Sequence, residues 1–294
     1  MNEKCLDIIN QIFNNLNLEH QIYLIQINKY FNNNLNITNF YDIEYKQGHK
    51  LNDNILINYK FLKKLNINSN YNVQNINYLT NLKKLSCAHS SIFDEGIKDL
   101  KLTKLMVNTS KIKNINHMTT LKTLHCGYDS VVSDDNIKNL DLISLNANGN
   151  ITKINHMTNL KKLNCDIYDD YSKCITDEQI KNMDLIKLSL HGNFKIKNIS
   201  HLTNLKILDC GFCLIDDNDI KNLDLIKLYM AGNEYIKNIS HLTNLRVLNC
   251  NNSMINDNDI KNLDLIELYT TRNKKITKTD HFTNLRILNY NYIK

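Results

Sequence analysis

The chain has 294 residues, 42% of them hydrophobic and 22% charged, the balance of an ordinary globular protein. Its 36 basic and 30 acidic side chains leave a net charge of +6, too mild to imply nucleic-acid binding. No run approaches the roughly 18 consecutive apolar residues that read as a membrane-spanning helix. Proline and tryptophan are absent while asparagine, isoleucine and lysine abound, a skew that matches the codon usage of an AT-rich genome, such as that of a large DNA virus. Met1-Asn2-Glu3-Lys4 leads into an amphipathic stretch and not the apolar core of a secretion signal, so the expected location is intracellular, in the cytoplasm.

Residues 1–45 read as helical. Leu6, Ile8, Ile9, Ile12, Phe13 and Leu16 follow helical spacing, and a second apolar run follows at Ile22, Leu24, Ile25 and Ile27. One reading is a cap shielding the first repeat, as solenoids require, with residues 46–61 as linker or further cap. The other is a resemblance to the F-box. The stretch Leu6 to Leu16 is similar to that motif's first helix, and Ile27-Asn28-Lys29-Tyr30-Phe31 stands where the family usually has Val-Cys-Lys-x-Trp. The resemblance implies docking on the small adaptor of a cullin ubiquitin ligase through Leu6, Ile8, Ile9, Ile12, Phe13, Leu16, Ile27 and Phe31, the later repeats holding the substrate. It departs from the family at Asp7, where proline is usual, and at Phe31, where tryptophan is usual. Both readings stay open on the sequence.

From Leu62 onward the chain repeats itself. Ile199-Ser200-His201-Leu202-Thr203-Asn204-Leu205 returns 40 residues later as Ile239-Ser240-His241-Leu242-Thr243-Asn244-Leu245. Each 40-residue block holds two units, which start at Leu62, Leu82, Leu102, Leu121, Leu142, Leu160, Leu185, Leu205, Leu225, Leu245, Leu265 and Leu285. Within a unit the pattern is Leu-x-x-Leu-x-apolar-x-x-polar, as in Leu225, Leu228, Met230 and Asn233. This resembles the leucine-rich-repeat family, with units of roughly 20–29 residues. The resemblance implies an α/β solenoid: a curved parallel sheet with short helical or 3₁₀ return segments, about twelve units over residues 62–294.

Stacking is what such a unit needs, because one unit cannot bury its own leucines. Alternation sends Leu228 and Met230 to one face of a short strand and Lys227 and Tyr229 to the other. The polar ninth position (Asn70, Asn150, Asn193, Asn233, Asn273) is expected to turn inward and bond backbone groups, with Ser90, Ser110 and Ser253 sharing that task. The unit from Leu160 is longer and carries an insert at Tyr168-Asp169-Asp170-Tyr171, expected on a surface loop.

Two residue columns look like chemistry and are better read as packing. Cys87, Cys126, Cys165, Cys210 and Cys250 recur at the sixth position of alternate units, which places successive members about 10 Å apart. That exceeds the ~7 Å limit for a disulfide, so they are expected to be buried thiols. Cys210-Gly211-Phe212-Cys213 lacks the second pair of a zinc site and the context of a redox motif. His117, His156, His201, His241 and His281 form a similar column, with Tyr78 in the equivalent earlier slot, and are expected to cap return turns.

No metal, cofactor or catalytic arrangement stands apart from the repeat, so the reading is a non-catalytic protein-interaction scaffold with no membrane or nucleic-acid partner. Third and fifth positions should point away from the core on a concave face. Lys64, Lys84 and Lys104 make a solvated early stretch, whereas Ile207, Lys227, Tyr229, Val247, Glu267, Tyr269 and Ile287 mix aliphatic, aromatic and charged groups. Exposed together, these would need a protein partner to cover them.

Overall fold

The computed structural model of the chain describes residues 9, 11–13, 15–16, 20–21, 23–24, 36–41, 48–127, 130–147, 150–167 and 174–289. It falls into two compact bodies, Met1–Val132 and Ser133–Lys294. Each is a parallel sheet whose strands lie in sequence order. In the N-terminal body β1 (Asn39–Phe40) pairs with β2 (Lys64–Asn66), and β3 (Lys84–Ser86), β4 (Lys104–Met106) and β5 (Thr123–His125) follow. In the C-terminal body the order is β6 (Ser144–Asn146), β7 (Lys162–Asn164), β8 (Lys187–Ser189), β9 (Ile207–Asp209), β10 (Lys227–Tyr229), β11 (Val247–Asn249), β12 (Glu267–Tyr269) and β13 (Ile287–Asn289).

Every strand from β2 onward begins two residues after a unit-starting leucine. The solenoid is therefore the one the repeat spells out, with one strand more. β1 pairs Asn39 with Lys64, and Ile37 and Phe40 are buried, so the sheet starts upstream of Leu62. Of residues 46–61, read as linker or cap, the described part from 48 onward contains the helical turn Asp53–Leu56 and lies between β1 and β2 as a return segment.

The core is built unit by unit. Leu225, Leu228 and Met230 are fully buried, as are Ile220 from the turn before them and Ile236 and Ile239 from the segment after. A fully buried leucine stabilises by roughly 1.5–3 kcal/mol, which explains why the pattern tolerates so little drift. Chain reversal after β2, β3, β4, β8, β9, β10, β11 and β12 uses a left-handed residue at the eighth position. Ser69, His89, Thr109, Gly192, Phe212, Gly232, Asn252 and Arg272 all have φ between 47° and 69°. Only two of these are glycine, so the other units accept backbone strain of about 1–2 kcal/mol each.

Behind the turn sits the polar ladder. Asn233 Nδ2 donates to the carbonyls of Cys210 (3.2 Å) and Ile215 (3.1 Å), while its Oδ1 accepts from Tyr235 and Ile236 N–H. Asn273 repeats this arrangement on Cys250 and Ile255, and Asn193 and Asn70 are equally buried. Alternate units fill the same place with a short side chain bonded to its own unit: Ser90 to Cys87, Cys213 to Cys210 and Ser253 to Cys250. One expectation fails. Asn150 is exposed, in a unit that runs only 18 residues to Leu160. The previous unit also shifts, burying Ser130 one place beyond the ninth. The insert at residues 168–171 lies outside the described residues.

Return segments alternate as well. The helical turns Asp134–Ile137, Asp177–Ile180, Asp217–Ile220 and Asp257–Ile260 open with capping boxes at Ser133, Thr176, Asp216 and Asn256, and Asp94–Gly96 forms a 3₁₀ turn. The first aspartate of each turn reaches across to the next unit. Asp217 Oδ1 accepts from the N–H groups of Lys237 (2.8 Å) and Asn238 (3.0 Å), and Asp53, Asp94, Asp134, Asp177 and Asp257 do the same one block apart. This column ties an extended return segment, which has few backbone partners of its own, to the helical turn before it.

Candidate functional site

The columns that resemble chemistry are structural where they are described. Cys87, Cys126, Cys165, Cys210 and Cys250 are buried and free; burial pushes the thiols of Cys87, Cys126, Cys165 and Cys250 up, Cys250 to about 12, and the Cys213 hydrogen bond, followed by burial, raises that of Cys210. His201 and His241 place Nε2 3.1 Å from the carbonyl oxygens of Ile180 and Ile220, at the ends of helical turns. Tyr78 makes the equivalent bond to Asp53 at 3.0 Å. Burial, followed by the Asp53 charge, pushes its hydroxyl up to about 12. Among the described residues no group of three or more metal-ligating side chains is close enough to hold an ion.

The strand face opposite the core is the remaining surface with mixed chemistry. In the C-terminal body its third positions run Lys187, Ile207, Lys227, Val247, Glu267, Ile287 in register, and its fifth positions run Ser189, Asp209, Tyr229, Asn249, Tyr269, Asn289. Lys227, Tyr229, Glu267, Tyr269 and Ile207 are half-buried, and Ile287 is exposed. Val247 is not available: it is 4% exposed, lying between Lys227 and Glu267 on the neighbouring strands. The Tyr269 hydroxyl donates to Glu267 Oε2 at 3.1 Å, which holds that ring against its own strand. Tyr229 and Tyr269 stand two strands apart with the short Asn249 between them, about 10 Å from each other by strand spacing.

Just beyond the strands lies a polar cluster. Asp166 accepts from Ser189 Oγ (2.7 Å), from the His191 backbone N–H (2.9 Å) and from Asn164 Nδ2 (2.8 Å). Asp209 holds the His191 imidazole above its ordinary range against the opposing effect of burial; at 3.9 Å from Nδ1 this is a charge contact and not a hydrogen bond. The Ser189 proton goes to Asp166 and not to His191, so the trio is a positioning network rather than an activated nucleophile. The His191 ring meets Phe212 edge-on, centroids 5.3 Å apart. Both rings lie over glycines: a Cβ at Gly211 would come within 2.6 Å of His191 Nδ1, and one at Gly232 within 2.4 Å of the Phe212 ring.

Phe212 belongs to an exit rim that sequence reading passed over. Phe212 (51% exposed), Tyr235 (49%), Phe194 and Met254 present large apolar groups from four successive units, Leu185 to Leu245. They occupy the tenth, eighth, eleventh and tenth positions in chain order, so no fixed period marks them. The available signal is that aromatic and sulfur side chains crowd the turns of these units, where polar residues are usual.

On the return side, Lys197, His201, Asp216, Asp219 and Lys221 line a polar hollow of about 450 Å³. Asp219 there is buried and spent on backbone, accepting from Ile199 and Asp216 N–H. In the N-terminal segment Phe13 is buried within the chain, so it is not free to face an adaptor, whereas Ile12 is 58% exposed and Ile9 and Leu16 are half-buried. Leu6, Ile8, Ile27 and Phe31 lie outside the described residues.

No protein-family model and no curated relative matches the chain. Solved structures do. An internalin from Listeria monocytogenes is 21% identical, with 81% of this chain and 76% of that chain covered and a TM-score of 0.52. A TLR13 chain in complex with single-stranded RNA is 19% identical over 78% of this chain and 42% of its own, also at 0.52. A leucine-rich-repeat protein from Leptospira interrogans is 20% identical over 88% and 78%, at 0.47. Identities this low bear on the fold, and the fold is a leucine-rich-repeat solenoid.

Proposed function

We propose that the chain is a protein-interaction scaffold and that its C-terminal body carries the recognition surface. Partner contact falls on the strand face at Ile207, Lys227, Tyr229, Glu267, Tyr269 and Ile287 and continues onto the exit rim at Phe212 and Tyr235. The carrying observation is the rim itself: Phe194, Phe212, Tyr235 and Met254, from four consecutive units, remain exposed beside the fully buried Leu188, Leu208, Leu228 and Leu248. An apolar stripe beside half-buried tyrosines is the composition of an interface core with a polar rim. The same composition applies whether the partner is extended or folded. The free, buried thiols of Cys87, Cys126, Cys165, Cys210, Cys213 and Cys250 fit a reducing compartment.

The test is affinity for a captured partner. Tyr229→Ala with Tyr269→Ala, and separately Phe212→Ala, should each weaken binding at least tenfold, about 1.4 kcal/mol or more. Unchanged affinity in both would place the interface elsewhere. The TLR13 complex contains single-stranded RNA, so the assay includes an RNA arm; RNA bound at this face would replace the proposal.

A second reading, the cullin-ligase substrate receptor, is favoured by one observation, the exposed Ile12. Adaptor retained by the intact chain and lost on Ile12→Asp would establish it. Equal retention by both, or by neither, would leave the segment as a cap.

A further inference from the structure

The N-terminal body presents a different strand face. Its third positions bring Lys64, Lys84 and Lys104 side by side on β2, β3 and β4, in direct register. Like charges placed opposite one another on neighbouring strands are unfavourable. Lys63 and Lys83 lie beside them at the second positions.

The C-terminal body shows how the fold handles second-position cations such as Lys63 and Lys83. There Lys161, Lys206 and Arg246 meet Asp184, Asp224 and Asp264 at 2.6, 2.6 and 3.8 Å, each aspartate immediately preceding a unit-starting leucine. Lys206 and Lys161 pull the Asp224 and Asp184 carboxyls below the ordinary range. In the N-terminal body the matching places hold Phe61, Asn81, Lys101 and Thr120. Lys83 Nζ finds only the backbone carbonyl of Lys101, at 3.4 Å. The described acids of this body, Asp53, Asp94, Glu95 and Asp99, all belong to return segments. Asp53 and Asp94 are spent there on backbone N–H groups, and Glu95 on Lys98. Among the described residues, Lys63, Lys64, Lys83, Lys84 and Lys104 have no acidic partner. Burial, followed by the Lys104 charge, lowers the pKa of His125 on β5, a sign that the positive field extends along the face.

We infer that this lysine row is a second docking surface, which takes an extended, carboxylate-rich polypeptide segment of a partner protein. Three features favour a polypeptide over other anions. Arginine, the usual two-pronged phosphate ligand, does not occur before Arg246. Among the described residues the one tyrosine on this face, Tyr41, is held by its hydroxyl on Met106 Sδ at 2.9 Å, which leaves little for bases to stack on. The row offers no large apolar side chain to enter a bilayer. Ammonium groups on flexible stems, about 4.8 Å apart by strand, can follow the alternate carboxylates of an extended chain.

The experiment uses the full chain and a fluorescein-labelled alternating glutamate–serine octapeptide, read by fluorescence anisotropy, with an octauridine RNA and phosphatidylserine vesicles in parallel. Peptide binding should weaken steeply between about 50 mM and about 500 mM salt. It should fall at least tenfold in Lys64→Gln/Lys84→Gln/Lys104→Gln, survive in the matching triple arginine variant, and ignore Tyr229→Ala. That last arm separates this surface from the one on the C-terminal body. Three outcomes overturn the inference: no peptide binding, binding indifferent to the glutamines, or tighter binding of RNA or vesicles than of peptide. Peptide binding that emerges only after Asp42→Asn/Glu44→Gln would also overturn it, by showing that the chain supplies its own acid.

Discussion

At the scale of single residues, the ninth-position side chain decides how one unit grips the last. Asn233 satisfies two carbonyls of the preceding unit and two N–H groups of its own, three of the four bonds fully buried and the one to Tyr235 half-buried. Truncating it leaves those groups without partners at roughly 1–3 kcal/mol for an unsatisfied group. Asn233→Ala should therefore lower unfolding free energy by about 2–4 kcal/mol in urea titrations. Cys213→Ser should change it by less than about 1 kcal/mol, because Ser253 makes the same bond one block later. The alternation was legible in the sequence as a recurring Asn, Ser or Cys, and so was its inward direction. Asn150 shows the limit, since its identity fits the ladder while its side chain, in a shorter unit, is exposed. Of the described cysteines, Cys174 is the one not buried. A thiol reagent should label it in the native protein and reach the others only on unfolding.

At the scale of elements, strands were legible and turns were not. Leucine spacing fixes a strand because burial depends on period, whereas the left-handed eighth position carries serine, histidine, threonine, phenylalanine, asparagine and arginine as well as glycine. Nothing in residue type marks that column; the hydrogen bonds that close the turn impose it. Arg272, exposed at φ 60°, should accept glycine with a gain of about 1 kcal/mol in stability, measured by thermal or urea unfolding. In the sequence the aspartate column shows only as an acid at the start of each helical turn, as at Asp217 and Asp257. Its bridging role is set by geometry, because Asp257 must reach Thr277 and Lys278 in the next unit. Burial raises the Asp257 carboxyl, and the Thr277 and Lys278 hydrogen bonds together outweigh that and hold it below the ordinary range. A depressed carboxylate stabilises the fold fully above its unfolded value, near 3.8, and loses that contribution as pH falls through the lower folded value. Asp257→Asn should accordingly flatten the acid limb of the stability profile below about pH 4 and leave the rest of its shape unchanged.

At the scale of the molecule, the true period is the 40-residue block, because ladder, cysteine column and aspartate column all alternate. Stability in such arrays is a sum over neighbouring units. Excising residues 205–244, which joins Asn204 to Leu245, should preserve a cooperative circular-dichroism transition. Removing 225–244 alone sets two like units in contact, costs the Asn233 bonds, and should broaden or abolish that transition. Block, strand and core could thus be read from the sequence. The exit rim could not, since Phe194, Phe212, Tyr235 and Met254 share no phase and meet only once the turns are built.

We propose that the strand face and exit rim of the C-terminal body are where a partner protein makes contact. A photo-crosslinking amino acid placed at Tyr229 in cells, with Lys221 on the return side as control, tests it most directly. A discrete protein adduct from position 229, absent from 221 and lost on Phe212→Ala, is the predicted result. Equal adducts from both positions, no protein adduct from 229, or an adduct to RNA would contradict it.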